Sequence, residues 1–402
     1  MPTAKDKTPD PGPVFSGVPK DGRSGARVKS ASSIAPFGYL TPEDEFGDVE
    51  RGNPLPYTLD ATRRREVGLE RETWQLEIVS DPESNAKIEQ PISKALGNAI
   101  DFNALLKLGE THGVQFLKGI TCNNIGEPLG MGLWEGVPLR VLVWMTRPVE
   151  NIRRVWYYGY HNDDPKQMFR SSLPIGRVLE DAPGELPVIL CYKMNGEYLT
   201  GKRGGPVRMI VPEAYGFKSV KWLQRIVLTN HFAANDTYER WNNDVDSAMK
   251  TFARFADVPA SVKAGERARI SGLAQVGQSS LAKVQWSFAR KDAAALNDDQ
   301  TLGEERWQDA DIMPPPEDWG GALPGGKLPG LPLLFDPTTR RPSQWPLRYT
   351  MAHWTAELPA LEPGTYTLRC RTIDHNGIAQ PMPRPFAKSG RVDIHEVTLV
   401  VA

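Results

Sequence analysis

Hydrophobic and polar residues follow one pattern in the first part of the chain and another in its last part. From residue 40 to residue 229, short apolar runs alternate with stretches of helical spacing. The apolar runs predict strands at residues 74–79, 114–122, 155–160, 188–194 and 207–211. The spacing over residues 99–108 predicts a helix, with Asp101 as its candidate N-terminal cap. We therefore expect a mixed α and β domain of irregular topology in this part.

Strict alternation of apolar and polar residues dominates the last part of the chain. Over residues 365–371, Tyr366, Leu368 and Cys370 alternate with polar residues, so one face of this strand is apolar and the other faces water. Residues 283–290 and 393–401 behave similarly. Turn residues separate these runs, which predicts a β-sandwich of immunoglobulin-like type. The fold class predicted for the chain is α+β.

Changes in composition indicate where these parts begin and end. Residues 1–39 are rich in Pro, Gly, Ser and charged residues, which predicts a flexible N-terminal arm. The mixed domain is predicted at 40–245, a linker at 246–256 and the β-sandwich at 257–402. Residues 313–346 are crowded with Pro and Gly, and a loop of this length inside a small sandwich indicates a functional or contact-forming segment.

The composition excludes several classes of protein. The chain has 402 residues, 40% of them hydrophobic and 24% charged, as in a folded globular protein. Its 48 Lys and Arg balance 49 Asp and Glu, so nucleic acid is not an expected partner. No run approaches the roughly twenty apolar residues of a spanning helix, so no membrane is expected either. The polar start predicts a cytoplasmic protein as printed, or a periplasmic one if an export leader was removed.

The strongest local candidate for chemistry is Cys122. It ends a predicted apolar strand, and Asn123 and Asn124 follow where the chain must turn. Its thiolate could bind a soft metal or act as a nucleophile; the alternative is a small buried residue at a strand end. Cys191 and Cys370 are predicted to be buried only. The three cysteines form no CxxC pair, so neither a structural zinc site nor a disulfide framework is predicted.

A second candidate is a basic segment around the predicted strand at 207–211. Arg203 and Arg208 lie at its start, and Lys218 and Lys221 follow it. Glycines at 204 and 205 permit a close approach of the backbone to a ligand. Several cationic donors in one place are what a phosphate-bearing cofactor needs, whereas the alternative is a solvated basic face.

At these residues the sequence resembles the sulfite oxidase family of molybdopterin-dependent oxidoreductases. The family's order is followed from Thr121-Cys122-Asn123-Asn124 through 134–140 and 191–196 to 205–222, and the resemblance extends over residues 40–402. It implies that Cys122 binds the molybdenum of a molybdenum–molybdopterin cofactor. The residues that it implies for holding the molybdopterin are Asn162, Arg203, Arg208, Lys218, Ser219, Val220 and Lys221. It also implies a homodimer formed through the immunoglobulin-like domain.

The substrate side of the site departs from the family. Where sulfite-oxidising relatives have an Arg-Asn-His stretch, this chain has residues 46–54, in which Arg51 is the available cation. Relatives also have a tyrosine in the linker, which residues 241–246 lack. Arg51 and Arg170 are the cations that we expect to face an anionic substrate, although Arg170 could equally be a surface residue beside Phe169.

Sulfite or a related small sulfur compound is the substrate that the resemblance implies, with oxygen-atom transfer at molybdenum as the reaction. One alternative is the reduction of an S-oxide or N-oxide on the same cofactor, and another is a non-catalytic protein that binds the cofactor or a partner. No haem is expected in this chain, because no segment resembles a haem domain and no CxxCH motif occurs. The resemblance therefore requires a separate electron-transfer partner, for which a c-type cytochrome is one candidate.

Overall fold

The structure, a computed structural model, describes residues 39–50, 52–123, 127–163, 169–234, 244–291, 307–381 and 389–402. Arg51 and nearly all of the predicted N-terminal arm lie outside these ranges. The described α-helices are short: α1 (Ala61–Glu66), α2 (Phe102–His112), α3 (Leu139–Met145) and α4 (Ile175–Leu179). Helical turns of the 3-10 type are found at Pro56–Thr58, Gly216–Lys218 and Pro324–Gly326. The described protein is therefore mostly sheet, with less helix than the prediction of a mixed domain implied.

The first domain contains two five-stranded sheets. Its strands are β1 (Gln75–Ser80), β2 (Lys87–Ile88), β3 (Ile100–Asp101), β4 (Val114–Thr121), β5 (Pro128–Pro138), β6 (Pro148–Glu150), β7 (Arg154–Gly159), β8 (Phe169–Pro174), β9 (Ile189–Met194), β10 (Glu197–Tyr198), β11 (Arg208–Ile210) and β12 (Leu223–Thr229). One sheet has the order β3-β1-β12-β7-β8, with β1 and β12 parallel. The other has the order β10-β9-β5-β4, and β11 also pairs with β9. Strands β2 and β6 form a separate pair.

The apolar periodicity predicted these strands well. The five predicted strands correspond to β1, β4, β7, β9 and β11, each within one residue at either end. The predicted helix at 99–108 is α2, but it begins at Phe102, because Ile100 and Asp101 pair with β1 first. The Asp101 side chain accepts a hydrogen bond from the N–H of Ala104 at 2.7 Å, which confirms the predicted cap.

The second domain is an eight-stranded sheet that folds around its own core. Its strands are β13 (Phe252–Asp257), β14 (Ser261–Val262), β15 (Ala268–Gln275), β16 (Lys283–Arg290), β17 (Gln308–Ile312), β18 (Met351–Leu358), β19 (Gly364–Ile373) and β20 (His395–Val401). Strand β17 pairs with both β16 and β18 and so joins two halves of the sheet. Trp286, Trp354 and Leu368 are buried between the strands. The immunoglobulin-like topology itself stays a prediction.

The boundary between the domains differs from the predicted linker at 246–256. Strand β13 begins at Phe252 and pairs with β15 in antiparallel register, so the second half of that segment belongs to the second domain. Phe252 and Ala253 are fully buried there. A polar stretch precedes these apolar residues, and its composition concealed where the strand begins.

The long loop at 313–346 attaches the second domain to the first. Its apolar residues share one buried cluster with β4 and β5 of the first domain. The cluster contains Tyr39, Leu40, Leu117, Met131, Leu133, Leu273, Trp319, Leu323, Phe335, Leu347 and Met351. The prediction of a contact-forming loop is confirmed. Within the described ranges, no helix is both long and apolar enough to cross a membrane.

Candidate functional site

A cavity lies where the end of β4 meets the segments on either side of β11. It holds about 680 Å³ of space between protein atoms, including its opening to solvent, which is within the usual range for a small-ligand site. Its lining residues come from four places in the sequence: Phe46, Gly47, Asp48, Val49; Ile120, Cys122, Leu129; Phe169; and Arg203, Arg208, Gly216, Phe217, Ser219, Val220, Lys221, Trp222. The two candidates that the sequence suggested, a cysteine and a basic segment, therefore line the same cavity.

Cys122 lines the cavity directly after β4 ends at Thr121. It is 8% exposed, so its sulfur is shielded from bulk water and yet reaches the cavity. The other two cysteines differ: Cys191 and Cys370 are fully buried in the two cores. Burial raises the pKa of Cys191 to about 12 and also raises that of Cys370, so both remain protonated thiols. Of the three cysteines, Cys122 is the one that lines this cavity.

Arg203 and Arg208 are buried cations, and each donates hydrogen bonds to described residues from only some of its N–H groups. Arg203 is 2% exposed; its Nη1 donates to the carbonyl of Gly47 at 3.0 Å, and its Nε lies 3.3 Å from a carboxylate oxygen of Glu43. Arg208 donates to the carbonyls of Arg203 at 2.9 Å and Ser219 at 2.8 Å. Within the described part of the chain, Arg203 Nη2 and Arg208 Nε have no hydrogen-bond partner. Buried N–H groups without a partner are costly, which indicates that a ligand atom accepts from them.

Lys221 supplies a third cation at the cavity. Its Nζ donates to Asp48 Oδ1 and, at 3.0 Å, to the carbonyl of Lys202. Burial lowers its pKa to about 8, although the carboxylate of Asp48 opposes that shift. The lysine packs closely against Gly204, whose φ of 96° favours glycine and where a Cβ would lie 2.7 Å from the Lys221 Cβ. The glycine at this position thus lets the Lys221 side chain pack against the backbone, while the predicted close approach to a ligand stays a prediction.

Ser219 and Val220 line the cavity between the buried cations. The Ser219 hydroxyl accepts a hydrogen bond from the N–H of Val211 at 3.1 Å, so this side chain also fixes the segment to the end of β11. Lys218 is placed differently: it is 1% exposed, does not line the cavity, and its Nζ donates to the carbonyl of Ser172 at 3.0 Å. The predicted contact of the Lys218 side chain with the cofactor therefore finds no support in its position.

Two other predicted site residues, Arg170 and Asn162, are not among the lining residues of the cavity. Arg170 follows the cavity-lining Phe169 in β8, and neighbouring strand residues point to opposite faces. Its guanidinium lies over the ring of Trp156 at 4.9 Å and Arg170 is not among the lining residues, so its contact with a substrate gains no support here and stays a prediction. Asn162 is half-buried after β7 and is not among the lining residues. Arg51 lies outside the described residues.

Sequence reasoning missed two charged groups, one that lines the cavity and one that is buried in β4. Asp48 lies among several acidic residues at 43–50, and no pattern distinguishes it from them. Lys118 is fully buried in β4, and its Nζ donates at 3.0 Å to the carbonyls of Gly119 and Ala214. Burial lowers its pKa to about 7. The signal that could have found it is a lysine within the otherwise apolar strand 114–121.

The charges that line the cavity match those of a phosphate ester. Arg203, Arg208 and Lys221 bring three positive charges, and Asp48 is the carboxylate among the described lining residues. Burial lowers the pKa of Arg208 to about 10, so it stays charged at neutral pH. The net charge of these groups is close to two, and a phosphate monoester carries about −1.5 to −2 at pH 7. A cofactor with a terminal phosphate and an atom that a thiolate can ligate therefore fits the residues present.

The class of protein that this site indicates agrees with comparisons to known proteins. Residues 69–237 match the family model of the oxidoreductase molybdopterin binding domain. A nitrate reductase [NADPH] of Beauveria bassiana is 30% identical over 136 residues, which are 34% of this chain and 14% of that protein. A mitochondrial sulfite oxidase of Drosophila melanogaster is 30% identical over 147 residues, which are 35% of this chain and 25% of that protein. The chain thus contains, over residues 69–237, a molybdopterin-binding domain of the kind found in oxidoreductases.

The similarity to a sulfite oxidase agrees with the resemblance to the sulfite oxidase family that the sequence suggested. The structure of the sulfane dehydrogenase SoxCD from Paracoccus pantotrophus superposes with a TM-score of 0.57 over 82% of this chain and 76% of that chain. The identity of 17% in that comparison shows a shared fold. The matched regions span about a seventh and a quarter of the nitrate reductase and the sulfite oxidase, respectively.

Proposed function

We propose that the protein transfers an oxygen atom between molybdenum and a small substrate, with Cys122 as the protein ligand of the metal. The observation that carries this proposal is that Cys122 and the buried cations Arg203, Arg208 and Lys221 line one cavity. When bound, the molybdenum–molybdopterin cofactor supplies the redox chemistry. The residues of the chain bind it, orient it and exclude water around it.

Each buried cation has a role that follows from its position. Arg203 Nη2 and Arg208 Nε would donate to the phosphate of the cofactor, which would satisfy the N–H groups that have no hydrogen-bond partner among the described residues. Lys221, held by Asp48, would add a charge whose attraction is strengthened by burial. Ser219 and Val220 line the same region. These residues would thus form the phosphate end of the cavity.

The default substrate is sulfite or a related small sulfur compound, which is the family's chemistry. An anion requires a cation beside the metal, and Arg51 is the residue that we propose for this contact. Several of the residues that line the cavity with the cysteine are apolar: Ile120, Leu129, Phe169 and Phe217. Arg170 is not among the lining residues. This apolar lining favours a second candidate reaction, the reduction of a neutral S-oxide or N-oxide.

The electrons exchanged at the metal require a further redox partner. We propose a separate electron-transfer protein, with a c-type cytochrome as one candidate, and a homodimer formed through the second domain. The likeness to sulfane dehydrogenase SoxCD and to a sulfite oxidase supports a partner-dependent enzyme.

The test of the proposed function compares matched cysteine variants. The wild type, Cys122→Ala and Cys370→Ala are purified from a host that makes the cofactor, and molybdenum content, pterin fluorescence and dye-coupled turnover are measured. Wild type and Cys370→Ala should contain molybdenum and turn over. In Cys122→Ala we expect turnover to fall by more than about a hundredfold, because the metal loses its protein ligand.

The same preparations distinguish the alternatives. Turnover is assayed with sulfite as reductant and, in the opposite direction, with a neutral sulfoxide as oxidant. Activity with sulfite alone supports the default substrate, and activity with the sulfoxide alone supports the second candidate. A wild type that binds cofactor but turns over neither compound would support the non-catalytic alternative. A wild type without molybdenum or pterin would refute the cofactor assignment.

A further inference from the structure

The strand that delivers Cys122 to the cavity is held by the second domain along one edge. Strand β4 is the last strand in the order β10-β9-β5-β4, so its other edge offers backbone groups that need partners. The N–H of Gly119 donates to the carbonyl of Tyr349 at 2.7 Å, and the carbonyl of Asn123 accepts from the N–H of Gly390 at 2.9 Å. Both partners belong to the second half of the chain.

Between these two contacts, a side chain of the second domain reaches the residue next to the cysteine. The hydroxyl of Thr121 donates to Oε1 of Gln275, the last residue of β15. The amide of Gln275 is itself fixed, because its Nε2 donates to the carbonyl of Lys250 at 2.7 Å. Gln275 is fully buried and Thr121 is 1% exposed, so water does not compete for this bond.

The close contact between the domains depends on a glycine in β4. A Cβ at Gly119 would lie 2.6 Å from the terminal methyl carbon of Met351, the first residue of β18. The absence of a side chain at this position lets the second domain approach the backbone of β4. Contacts at residues 119, 121 and 123 repeat every second residue, as expected for one edge of an extended chain.

We propose that Gln275 is a positioning residue that holds the Cys122 sulfur in place through Thr121. This inference rests on the proposed function, in which Cys122 ligates molybdenum. Gln275 does not line the cavity and acts on the sulfur only by fixing the backbone on its N-terminal side, while Gly390 fixes it on the other. The second domain thus completes a metal site that lies in the first domain.

The reason for such support is that a metal tolerates little error in the direction of its ligands. Groups behind a ligand orient it, and their removal commonly lowers metal affinity or activity by about 10- to 100-fold. The end of an edge strand would otherwise be free to fray, because β5 is the one described strand of its sheet with which β4 pairs. The contacts to the second domain restrict that motion at the residues flanking the cysteine.

The experiment compares two buried glutamines of the second domain. Gln275→Met removes the bond to Thr121 with little change of volume. Gln380→Met is the matched control, since Gln380 is 1% exposed and its Oε1 accepts at 2.9 Å from the N–H of Ala253 and at 3.2 Å from that of Thr372. The Thr121→Val and Thr121→Ser pair tests the same bond from its other end, because only serine keeps the hydroxyl.

The first measurement uses the full chain made in a host that lacks the cofactor. The rate of alkylation of Cys122 by iodoacetamide is followed by mass spectrometry. We expect roughly a tenfold faster reaction in Gln275→Met and Thr121→Val, and a rate within about twofold of the wild type in Gln380→Met and Thr121→Ser, as the loss of one buried hydrogen bond predicts. Equal rates in Gln275→Met and Gln380→Met would overturn the proposal.

The second measurement uses the enzyme loaded with cofactor. We expect Gln275→Met to keep its molybdenum but to show an altered Mo(V) electron paramagnetic resonance signal, with a kcat roughly tenfold lower and a KM within about twofold. An unchanged signal and kcat in Gln275→Met would refute a positioning role even if the alkylation rate rose. If the wild type contains no molybdenum, the proposed function fails, while the alkylation comparison still reports whether Gln275 positions the cysteine.

Discussion

Three cations of the first domain show how burial of single residues lowers stability, and two of them line the cavity. Burial lowers the pKa of Lys118 to about 7, that of Lys221 to about 8 and that of Arg208 to about 10. Each shift means that the folded protein holds the proton less tightly than the unfolded chain does. Burying a charged group lowers the stability of the fold. For Lys221 and Arg208, the attraction to a bound phosphate would offset this loss of stability. Lys118 does not line the cavity, so its loss of stability is not offset in that way.

Lys118 allows a direct test of this reasoning through the pH dependence of stability. Its ordinary pKa of about 10.4 exceeds its value in the fold, so the unfolded chain binds more protons between pH 7 and pH 10, and stability rises with pH in that window. Lys118→Met removes this dependence. The free energy of unfolding of the variant, relative to that of the wild type, should be highest at or below pH 7. Above pH 7 this difference should shrink by up to about 1.4 kcal/mol per pH unit.

Urea unfolding of both proteins at pH 6, 7, 8 and 9 measures this difference. The carbonyls of Gly119 and Ala214 lose a donor in the variant, but that loss adds a constant offset and no slope. Lys283→Met is the control, because the side chain of Lys283 is 55% exposed and pairs with Asp309 on the surface. A difference between Lys118→Met and the wild type that stays constant from pH 6 to pH 9 would contradict the prediction.

Sequence reasoning found some site residues and missed others for physical reasons. Cys122 was found because a strand end and a turn isolate it, and Arg203, Arg208 and Lys221 because they cluster around one strand. Arg170 is not among the lining residues whereas its neighbour Phe169 in β8 is, and the sequence alone does not show which of two adjacent strand residues faces the cavity. The pairing of Asp48 with Lys221 joins residues 173 positions apart, which no local pattern contains.

At the scale of elements, hydrophobic periodicity predicted strands better than helices. Strand β16 has the bounds predicted for it, residues 283–290. Helix α3 was not predicted, because its sequence, Leu-Arg-Val-Leu-Val-Trp-Met, is almost entirely apolar and suits a buried strand as well as a helix. Strand β5 contains three glycines, at positions 130, 132 and 136, which obscure its pattern. Apolar content therefore located the buried segments, but only the flanking residues could distinguish a buried helix from a buried strand.

Capping residues provide a prediction at this scale. Asp101 caps α2, which buries Phe102 and Leu105, whereas Asp60 caps α1, which has no buried residue. Asp101→Ala should lower the free energy of unfolding by about 1 kcal/mol, because the first turn of a packed helix loses a hydrogen bond. Asp60→Ala should lower it by less than about half of that, since an exposed helix can fray while the core stays folded.

Urea unfolding followed by circular dichroism measures both caps in the same protein. The two aspartates accept the same kind of bond, at 2.7 Å from the N–H of Ala104 and at 2.9 Å from that of Arg63, so the comparison isolates the packing of the helix. Equal losses in the two variants would show that packing does not set the contribution of the cap here.

At the scale of the whole molecule, the two domains form one unit because several kinds of contact join them. The loop at 313–346 contributes apolar residues to a cluster shared with β4 and β5. Gln275 and Gly390 bind the residues on either side of Cys122. The sequence indicated that the long loop makes contacts, but not with which surface, because its partners Leu117 and Met131 lie far away along the chain. Long-range pairing of this kind is set by the folded topology.

A polar contact between the domains gives the prediction at this scale. The carboxylate of Glu185 accepts from Arg348 and, at 3.0 Å, from the hydroxyl of Tyr349, and the side chains of Glu185 and Arg348 are 25% and 27% exposed. Burial and this carboxylate raise the pKa of Tyr349, so the tyrosine stays protonated and keeps donating at neutral pH. Glu185→Ala removes one acceptor from two donors and leaves both of them partly buried.

We expect Glu185→Ala to lower the free energy of unfolding by about 2 kcal/mol, because partly buried donors without an acceptor cost more than a surface ion pair contributes. Glu317→Ala is the control, since Glu317 pairs with Arg341 at 2.7 Å with side chains 86% and 55% exposed, and its loss should cost about 0.5 kcal/mol or less. Scanning calorimetry measures both. Because the apolar cluster still joins the domains, Glu185→Ala should keep a single transition at a lower temperature. Two separate transitions in Glu185→Ala would show that the Glu185 contact, rather than the apolar cluster, couples the domains. Equal shifts in Glu185→Ala and Glu317→Ala would show that the Glu185 contact contributes no more than a surface ion pair.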